Sequence, residues 1–369
     1  MDRHSMRQID SRRLERATSS LAKAIFDPTA WPEIMDEICG AVGATGAVLL
    51  QSDARTADVP RTRSVDEMIT FYFNNNWHTN DLRARGLPLL LTGESVFTDQ
   101  DCVTSELMLG SAYYNDFVYR TGFEWFAGIG FHAGSALWVM AIQRAKGEGA
   151  FEAENKQILR TLSRPLTETA TLCKAVGQLS LSSMTNALDR VGLAALAVDR
   201  TGSVIDVNAA AQALFDDSLR VHNRRLIVRD KQAESDLELL NCQLLATADL
   251  GALTAKPILI RREGKAPILL RTLPISGPAR SAFVGARALL TLTELCAKPD
   301  LDPIEISCAF GLSRAEARLA SLIVGGLSPE EAANRLGISL ITARNQIKAA
   351  MVKTGTHRQS GLVALLSRL

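Results

Sequence analysis

The chain has 369 residues, 47% hydrophobic and 22% charged, with a formal net charge of +1. That balance is enough for ordinary buried cores in roughly two to four domains and excludes a disordered chain. No apolar run reaches the roughly 20 residues of a membrane helix, and the arginines Arg3, Arg7, Arg12, Arg13 and Arg16 precede no signal-peptide apolar stretch, so a cytoplasmic location without membrane contact is expected.

Residues 14–26 carry Leu14, Ala17, Leu21, Ala24 and Ile25 on one helical side, and residues 31–42 form a second helix that Gly43 stops. The apolar run 46–51 reads as a buried strand, and 65–75 as a helix followed by a loop to residue 91. Residues 126–131 and 136–143 read as antiparallel strands joined by His132-Ala-Gly-Ser135. This order resembles a GAF-like sensor domain over 14–160. Most of the aromatics fall here, interleaved with His78, Asp81 and Arg83, the make-up of a small-molecule pocket. The run Phe71-Tyr-Phe-Asn-Asn-Asn-Trp-His-Thr-Asn-Asp81 is loosely similar to the pocket run of autoinducer-binding regulators. Tyr72, Trp77, Asp81 and Trp125 are the candidate ligand-binding residues, with a purely structural aromatic core as the alternative.

A connector at 161–188 follows. Residues 151–177 read as a helix broken or bent near Pro165, with Ile158, Leu162, Leu172, Val176 and Leu179 as a coiled-coil-like stripe for a homodimer.

Residues 189–295 alternate differently. An apolar strand at 192–199 turns through Arg200-Thr-Gly202 into 203–207. Asn208 caps a short helix, 233–248 is another, and strands are expected at 257–262, 266–274 and 282–293. The pattern Asp199-x-x-Gly202-x-Val204-x-x-x-Asn208-x-x-Ala211 resembles the opening of PAS domains. That resemblance admits a cofactor, but Asn241-Cys242-Gln243 lacks the arginine of a flavin-adduct site and His222 is the lone haem-ligand candidate, so no cofactor is expected. The six cysteines form no C-x-x-C and the five histidines no ligand spacing, which disfavours metal; a thiol redox sensor is a lesser alternative.

After a Pro-containing linker at 296–306, residues 307–369 are marked by two S-x-x-E capping boxes, Ser313-Arg-Ala-Glu316 and Ser328-Pro-Glu-Glu331. Gly325, Gly326 and Gly337 end helices, and Ser339 starts a third in which Ala343, Ile347 and Ala350 share the packed face. Away from that face stand Thr342, Arg344, Asn345 and Lys348, donors suited to phosphates and base edges. No acid follows Glu331, while Lys353 and Arg358 add to the basic side. The stretch resembles the LuxR-type helix-turn-helix in Leu312-Ser-x-x-Glu316, Gly326-Leu-Ser328, Ala333-x-x-Leu336-Gly-Ile-Ser339, Thr342-x-Arg344, Ile347 and Lys353-x-Gly355. It departs from that pattern at Ala332, Ala343, Gln346 and 353–356, which lowers apolar bulk. The resemblance implies that Arg344, Asn345 and Lys348 face DNA.

The fold expectation is therefore multidomain α+β, with GAF-like and PAS-like α/β sensor domains ahead of an all-α LuxR-type helix-turn-helix. Thr342, Arg344, Asn345, Lys348, Lys353 and Arg358 are the candidate DNA-binding residues. The expected function is a transcription regulator, controlled by a small ligand or partner, that binds an inverted repeat in double-stranded DNA as a homodimer and can engage RNA polymerase. A protein-interaction module without a DNA site and a cofactor-bearing PAS sensor are the alternatives. Enzyme motifs such as a Walker loop, G-x-S-x-G or H-E-x-x-H are missing from the sequence, and no enzymatic activity is expected.

Overall fold

The computed structural model describes residues 9–52, 59–246, 255–295, 301–367 and 369. Arg3, Arg7, Cys296, Pro299 and the end of the helix expected at 233–248 lie outside the described residues. The chain divides into two compact units, Met1–Ile260 with Leu270–Thr293, and Arg261–Leu269 with Glu294–Leu369.

The first unit begins with α1 (Ser11–Ser20), α2 (Lys23–Phe26) and α3 (Trp31–Val42), followed by β1 (Gly46–Gln51) and α4 (Asp66–Asn74). Where a loop to residue 91 was expected, the chain makes two 3-10 turns, Trp77–Asn80 and Leu82–Gly86, and α5 (Leu87–Leu91). Then come β2 (Val96–Thr98), α6 (Asp99–Cys102), α7 (Ser105–Gly110), a π-helical turn at Tyr113–Val118, β3 (Phe123–Ala133) and β4 (Ala136–Ala145). The strands form one sheet in the order β1-β4-β3-β2, with Leu49 opposite Met140 and Phe131 opposite Trp138.

Strand alternation sorts the side chains onto two faces. Ala47, Leu49, Ile129, Phe131, Trp138, Met140 and Ile142 join a core with α1 and α3. Val48, Val139 and Ala141 join a second core with Met68, Ile69, Tyr72, Phe97 and Phe117. The sheet is thus covered on both faces, and the second face holds the pocket described below.

A single helix, α8 (Ala153–Arg190), runs 38 residues with Pro165 inside it. The expected break is not there. Pro165 removes one backbone donor, but Leu162, Leu166 and Ala170 are buried against the first core, and Ser163 Oγ donates to the Gly130 carbonyl at 2.5 Å. Tertiary packing carries the helix past its own weak point. The expected five-residue stripe also divides: Leu162 is buried in its own core, whereas Leu172 and Leu179 are 51% and 69% exposed.

The C-terminal half of α8 serves a second sheet. Its elements are β5 (Ala194–Asp199), β6 (Val204–Val207), α9 (Ala209–Leu214), a hairpin β7 (Leu219–His222) and β8 (Arg225–Val228), α10 (Lys231–Ala246), β9 (Ile258–Ile260), β10 (Ile268–Pro274) and β11 (Ala286–Glu294). The sheet order is β6-β5-β11-β10-β9. Asp199 Oδ1 accepts the N–H groups of Thr201 and Ser203, which closes the β5–β6 turn at Gly202. Asn208 Oδ1 accepts from Ala211 N at 2.9 Å and Ala195 N at 3.0 Å, capping α9 and tying it to β5. Before β11, Phe283 leaves this sheet and enters the first core, its ring 4.9 Å from Trp138 and 5.7 Å from Trp31, edge to face in both.

The second unit contains α11 (Pro303–Phe310), α12 (Arg314–Val324), α13 (Pro329–Leu336), α14 (Leu340–Thr354) and α15 (Gln359–Leu366). Both capping boxes form: Ser313 N donates to Glu316 Oε2 at 2.7 Å and Ser328 N to Glu331 Oε2 at 2.8 Å. Gly337 ends α13 at φ +68°, and Ser339 caps α14 by accepting from Thr342 N at 3.0 Å. Ala332, Ala333, Ala343 and Ala350 are buried where α13 and α14 meet their neighbours, so small side chains close this core. No helix among the described residues is long and apolar enough to cross a membrane.

Candidate functional site

Two places carry the chemistry, an outward helix face in the second unit and a recess in the first. α14 presents Ala343, Ile347 and Ala350 to the core and leaves Thr342, Arg344, Asn345 and Lys348 exposed. At about 100° per residue the centre of the outward face is Ile341, Asn345, Lys348 and Val352, with Arg344 on one flank and Thr342 on the other. Thr342 is also engaged locally, its hydroxyl 2.8 Å from that of Ser339. Lys353 differs from the others: its Nζ donates to Glu316 Oε2 at 2.7 Å. The lysine hydrogen bond holds the Glu316 carboxyl below its ordinary value, so this pair is charged and internally neutralised at pH 7. Arg358 is exposed at the N-cap of α15. Four of the six residues are thus gathered on α14 with no carboxylate partner among the described residues, Lys353 carries one, and Arg358 stands at the N-cap of the next helix.

The recess lies on the second face of the first sheet, a cavity of about 50 Å³. Met68, Ile69, Leu87, Phe97, Phe117 and Phe126 give it apolar walls, and Gln51, Tyr72, Asp81, Arg83, Tyr113 and Gln143 bring polar groups to it. Asp81 accepts from the Tyr72 hydroxyl at 2.8 Å and from Arg83 N at 2.9 Å. Burial first, and then the charge of Asp81, push the Tyr113 phenol well above its ordinary value, so it acts only as a neutral donor or acceptor. Below the floor, Asp99 accepts from Arg83 Nε at 2.8 Å, Tyr114 Oη at 2.5 Å and Phe126 N at 2.6 Å. Such a space holds a few water-sized groups; a ligand of ordinary size enters only by displacing its apolar walls.

Of the four residues expected to bind ligand, the cavity brings together Tyr72 and Asp81. Trp77 is not part of the lining; it stacks on Phe117 with centroids 5.8 Å apart. Trp125 is also outside it, partly buried at the edge of both cores. Sequence reasoning did not select Tyr113, Phe117 or Gln143. Gln143 carried a signal, a polar residue closing an apolar strand, but its meeting with Arg83 is a side-chain contact between β4 and a 3-10 turn 60 positions earlier.

Burial pushes the Cys102 and Cys173 thiols up to about 12, and Cys39 higher still. Thiols held that way are poor nucleophiles, which weighs against a redox role for these three. Among the described residues no three His, Cys, Asp or Glu side chains assemble as a metal site.

No family model and no curated protein matches the chain. Among solved structures, the phage VqmA-DPO complex is 15% identical over 51% of this chain and 88% of its own, with a TM-score of 0.22. The E. coli DhaR(N)-DhaL complex is 10% identical over 77% of this chain and 88% of its own, with a TM-score of 0.24. Likeness at that level carries no argument for the fold or for the site.

Proposed function

We propose that the protein is a DNA-binding transcription regulator whose C-terminal unit is a helix-turn-helix of LuxR type and whose first unit is a GAF-like and PAS-like sensor. The observation that carries this reading is α14: a helix capped by Ser339, packed through Ala343 and Ile347, with Arg344, Asn345 and Lys348 exposed together. Such a face meets a major groove with donors for phosphates and base edges. Arg344 suits a guanine edge and Asn345 an adenine edge, while Lys348 suits phosphate or guanine.

Control by a small, largely apolar molecule is the input in this reading, with Tyr72 and Asp81 at the polar end of the aromatic-walled cavity. A homodimer reading an inverted repeat raises the affinity of so small a reader, and Leu172 and Leu179, seven residues apart on α8, are the candidate seam. The protein works in the cytoplasm in this reading, with RNA polymerase as a partner and without catalytic turnover.

The test is selection of genomic fragments by purified full-length protein, beside an Arg344→Glu/Lys348→Glu variant. An inverted repeat enriched by the unaltered protein alone is expected. Enrichment of the same fragments by both proteins removes α14 as the reader. Failure of either protein to enrich any sequence, with and without cell extract as a ligand source, favours an interaction module without its own DNA site.

A further inference from the structure

The outward face of α14 contains a residue that phosphate binding does not explain. Ile341, two positions after the Ser339 cap, is 74% exposed. Among the described residues no side chain of the second unit covers it, while Leu312, Ile323, Ile347 and Leu362 of the same unit are buried. Ile341 shares the centre of the face with Asn345 and Lys348, four and seven residues on, directly opposite Ala343, Ile347 and Ala350. Its polar neighbours on that face are donors, and no acidic residue follows Glu331 in the chain. The face therefore complements a polyanion except at two apolar side chains, Ile341 in the first turn and Val352 near the C-terminal end of the helix, 75% exposed and about three turns from the base-reading end.

A major groove offers one apolar group at base edges, the C5 methyl of thymine. It is the N-terminal part of a recognition helix that reaches those edges, and Ile341 lies in the first turn of α14. We propose that Ile341 is a specificity-determining side chain that packs on a thymine methyl one helical turn before the base read by Asn345. The inference rests on the DNA-reader reading above and deepens it. Arg344, Asn345 and Lys348 supply hydrogen bonds and charge, and Ile341 supplies discrimination that hydrogen bonding cannot, between thymine and every base without that methyl. Removing Ile341 or removing the methyl then has the same effect, and removing both costs no more than removing one.

The experiment uses full-length protein and a duplex carrying its selected site. Each thymine in a half-site is replaced singly by uracil, which lacks only the C5 methyl. For the unaltered protein one replacement is expected to weaken binding about fourfold, the value of one buried methyl group. Ile341→Ala is expected to bind the thymine site about as weakly as the unaltered protein binds the uracil site, and to be indifferent to that replacement. Ile341→Val, which keeps the branched shape, retains part of the sensitivity and serves if the alanine variant proves unstable. The inference is overturned if no single replacement changes binding by more than about twofold, or if both variants keep the full sensitivity of the unaltered protein. If the unaltered protein selects no site at all, the DNA-reader reading fails and this inference with it. A selected site without methyl sensitivity removes Ile341 alone.

Discussion

Arg83 Nε donates to Asp99 Oδ1 at 2.8 Å, with both side chains withdrawn from solvent. Burial alone opposes the charged guanidinium, but Asp99 outweighs it and raises the Arg83 pKa above its ordinary value. Arg83 Nη1 also donates to Gln143 Oε1 at 3.0 Å, and the guanidinium lies 4.9 Å from the Phe126 ring centre. The pair therefore ties the turn at 82–86, α6, β3 and β4 into one wall of the cavity. Asp99→Asn leaves the arginine charge buried without a counter-ion and is expected to cost about 3–5 kcal/mol. An Asp99→Asn/Arg83→Met double variant, which buries no charge and keeps a side-chain acceptor beside Tyr114 Oη and Phe126 N, is expected to lose less. Urea unfolding of the three proteins checks this; equal losses would mean that the charge pair is not the source of the penalty.

Phe283 is the second point where distant segments depend on one another. Its ring fills space among Trp31, Phe131 and Trp138. Phe283→Ala is expected to destabilise the first unit by about 3–5 kcal/mol. Gly177 on α8 tests the same junction from the other side. A Cβ there would stand 2.6 Å from the Pro278 carbonyl oxygen and 2.6 Å from Val284 Cγ2. Gly177→Ala should cost about 1–3 kcal/mol by overpacking, despite the better helix propensity of alanine. Thermal unfolding that showed no loss in either variant would remove the junction as a stabilising contact.

The contrast between local and distant causes explains what was legible in the sequence. Ser313, Ser328, Gly337 and Ser339 act on the peptide groups beside them, so the helix ends of the second unit could be read directly. Asp199 and Asn208 act over a similarly short range, closing a turn and capping α9. β2 was not legible, because three residues carry no periodic pattern and Val96 becomes a strand only by pairing with Ile129. For the same reason Pro165 does not break α8: its local effect is unfavourable, and what offsets it is a sheet assembled from earlier segments. The cavity was half legible. Tyr72 and Asp81 sit nine positions apart and bond to each other, whereas Arg83 meets Asp99, Gln143 and Phe126 only once the sheet exists.

The Glu316–Lys353 pair gives a pH dependence with a definite sign. Folding holds the Glu316 carboxyl below its ordinary value of 4.5, chiefly through the Lys353 hydrogen bond. Its contribution is therefore complete above that ordinary value and is lost as pH falls through the lower, folded value. Glu316→Gln keeps a side chain able to complete the capping box and removes the charge. With Lys353 partly exposed, the variant should lose about 0.2–1 kcal/mol at pH 7. That difference should shrink to nothing in acid. A difference unchanged from neutral pH into acid would show that the ion pair is not its source.

The same pair ranks the cations of the proposed DNA reader. A lysine that neutralises a phosphate releases counter-ions and adds about 0.9 to the slope of log affinity against log salt. Lys348 is exposed with no carboxylate partner among the described residues, so Lys348→Ala should weaken binding to every sequence and flatten the slope by about that amount. Arg344→Ala should do the same if the arginine contacts phosphate, and should relax preference at one base pair instead if it reads guanine. Lys353 is already answered by Glu316 at 2.7 Å. Lys353→Ala should therefore change the slope less than Lys348→Ala, and Glu316→Gln, which frees Lys353, should tighten binding. Titrations of one selected duplex from low to near-physiological salt distinguish these outcomes. Equal slopes for Lys348→Ala and Lys353→Ala would mean that Lys353 leaves Glu316 on binding DNA, and a slope unaltered in all the variants would remove α14 from the interface.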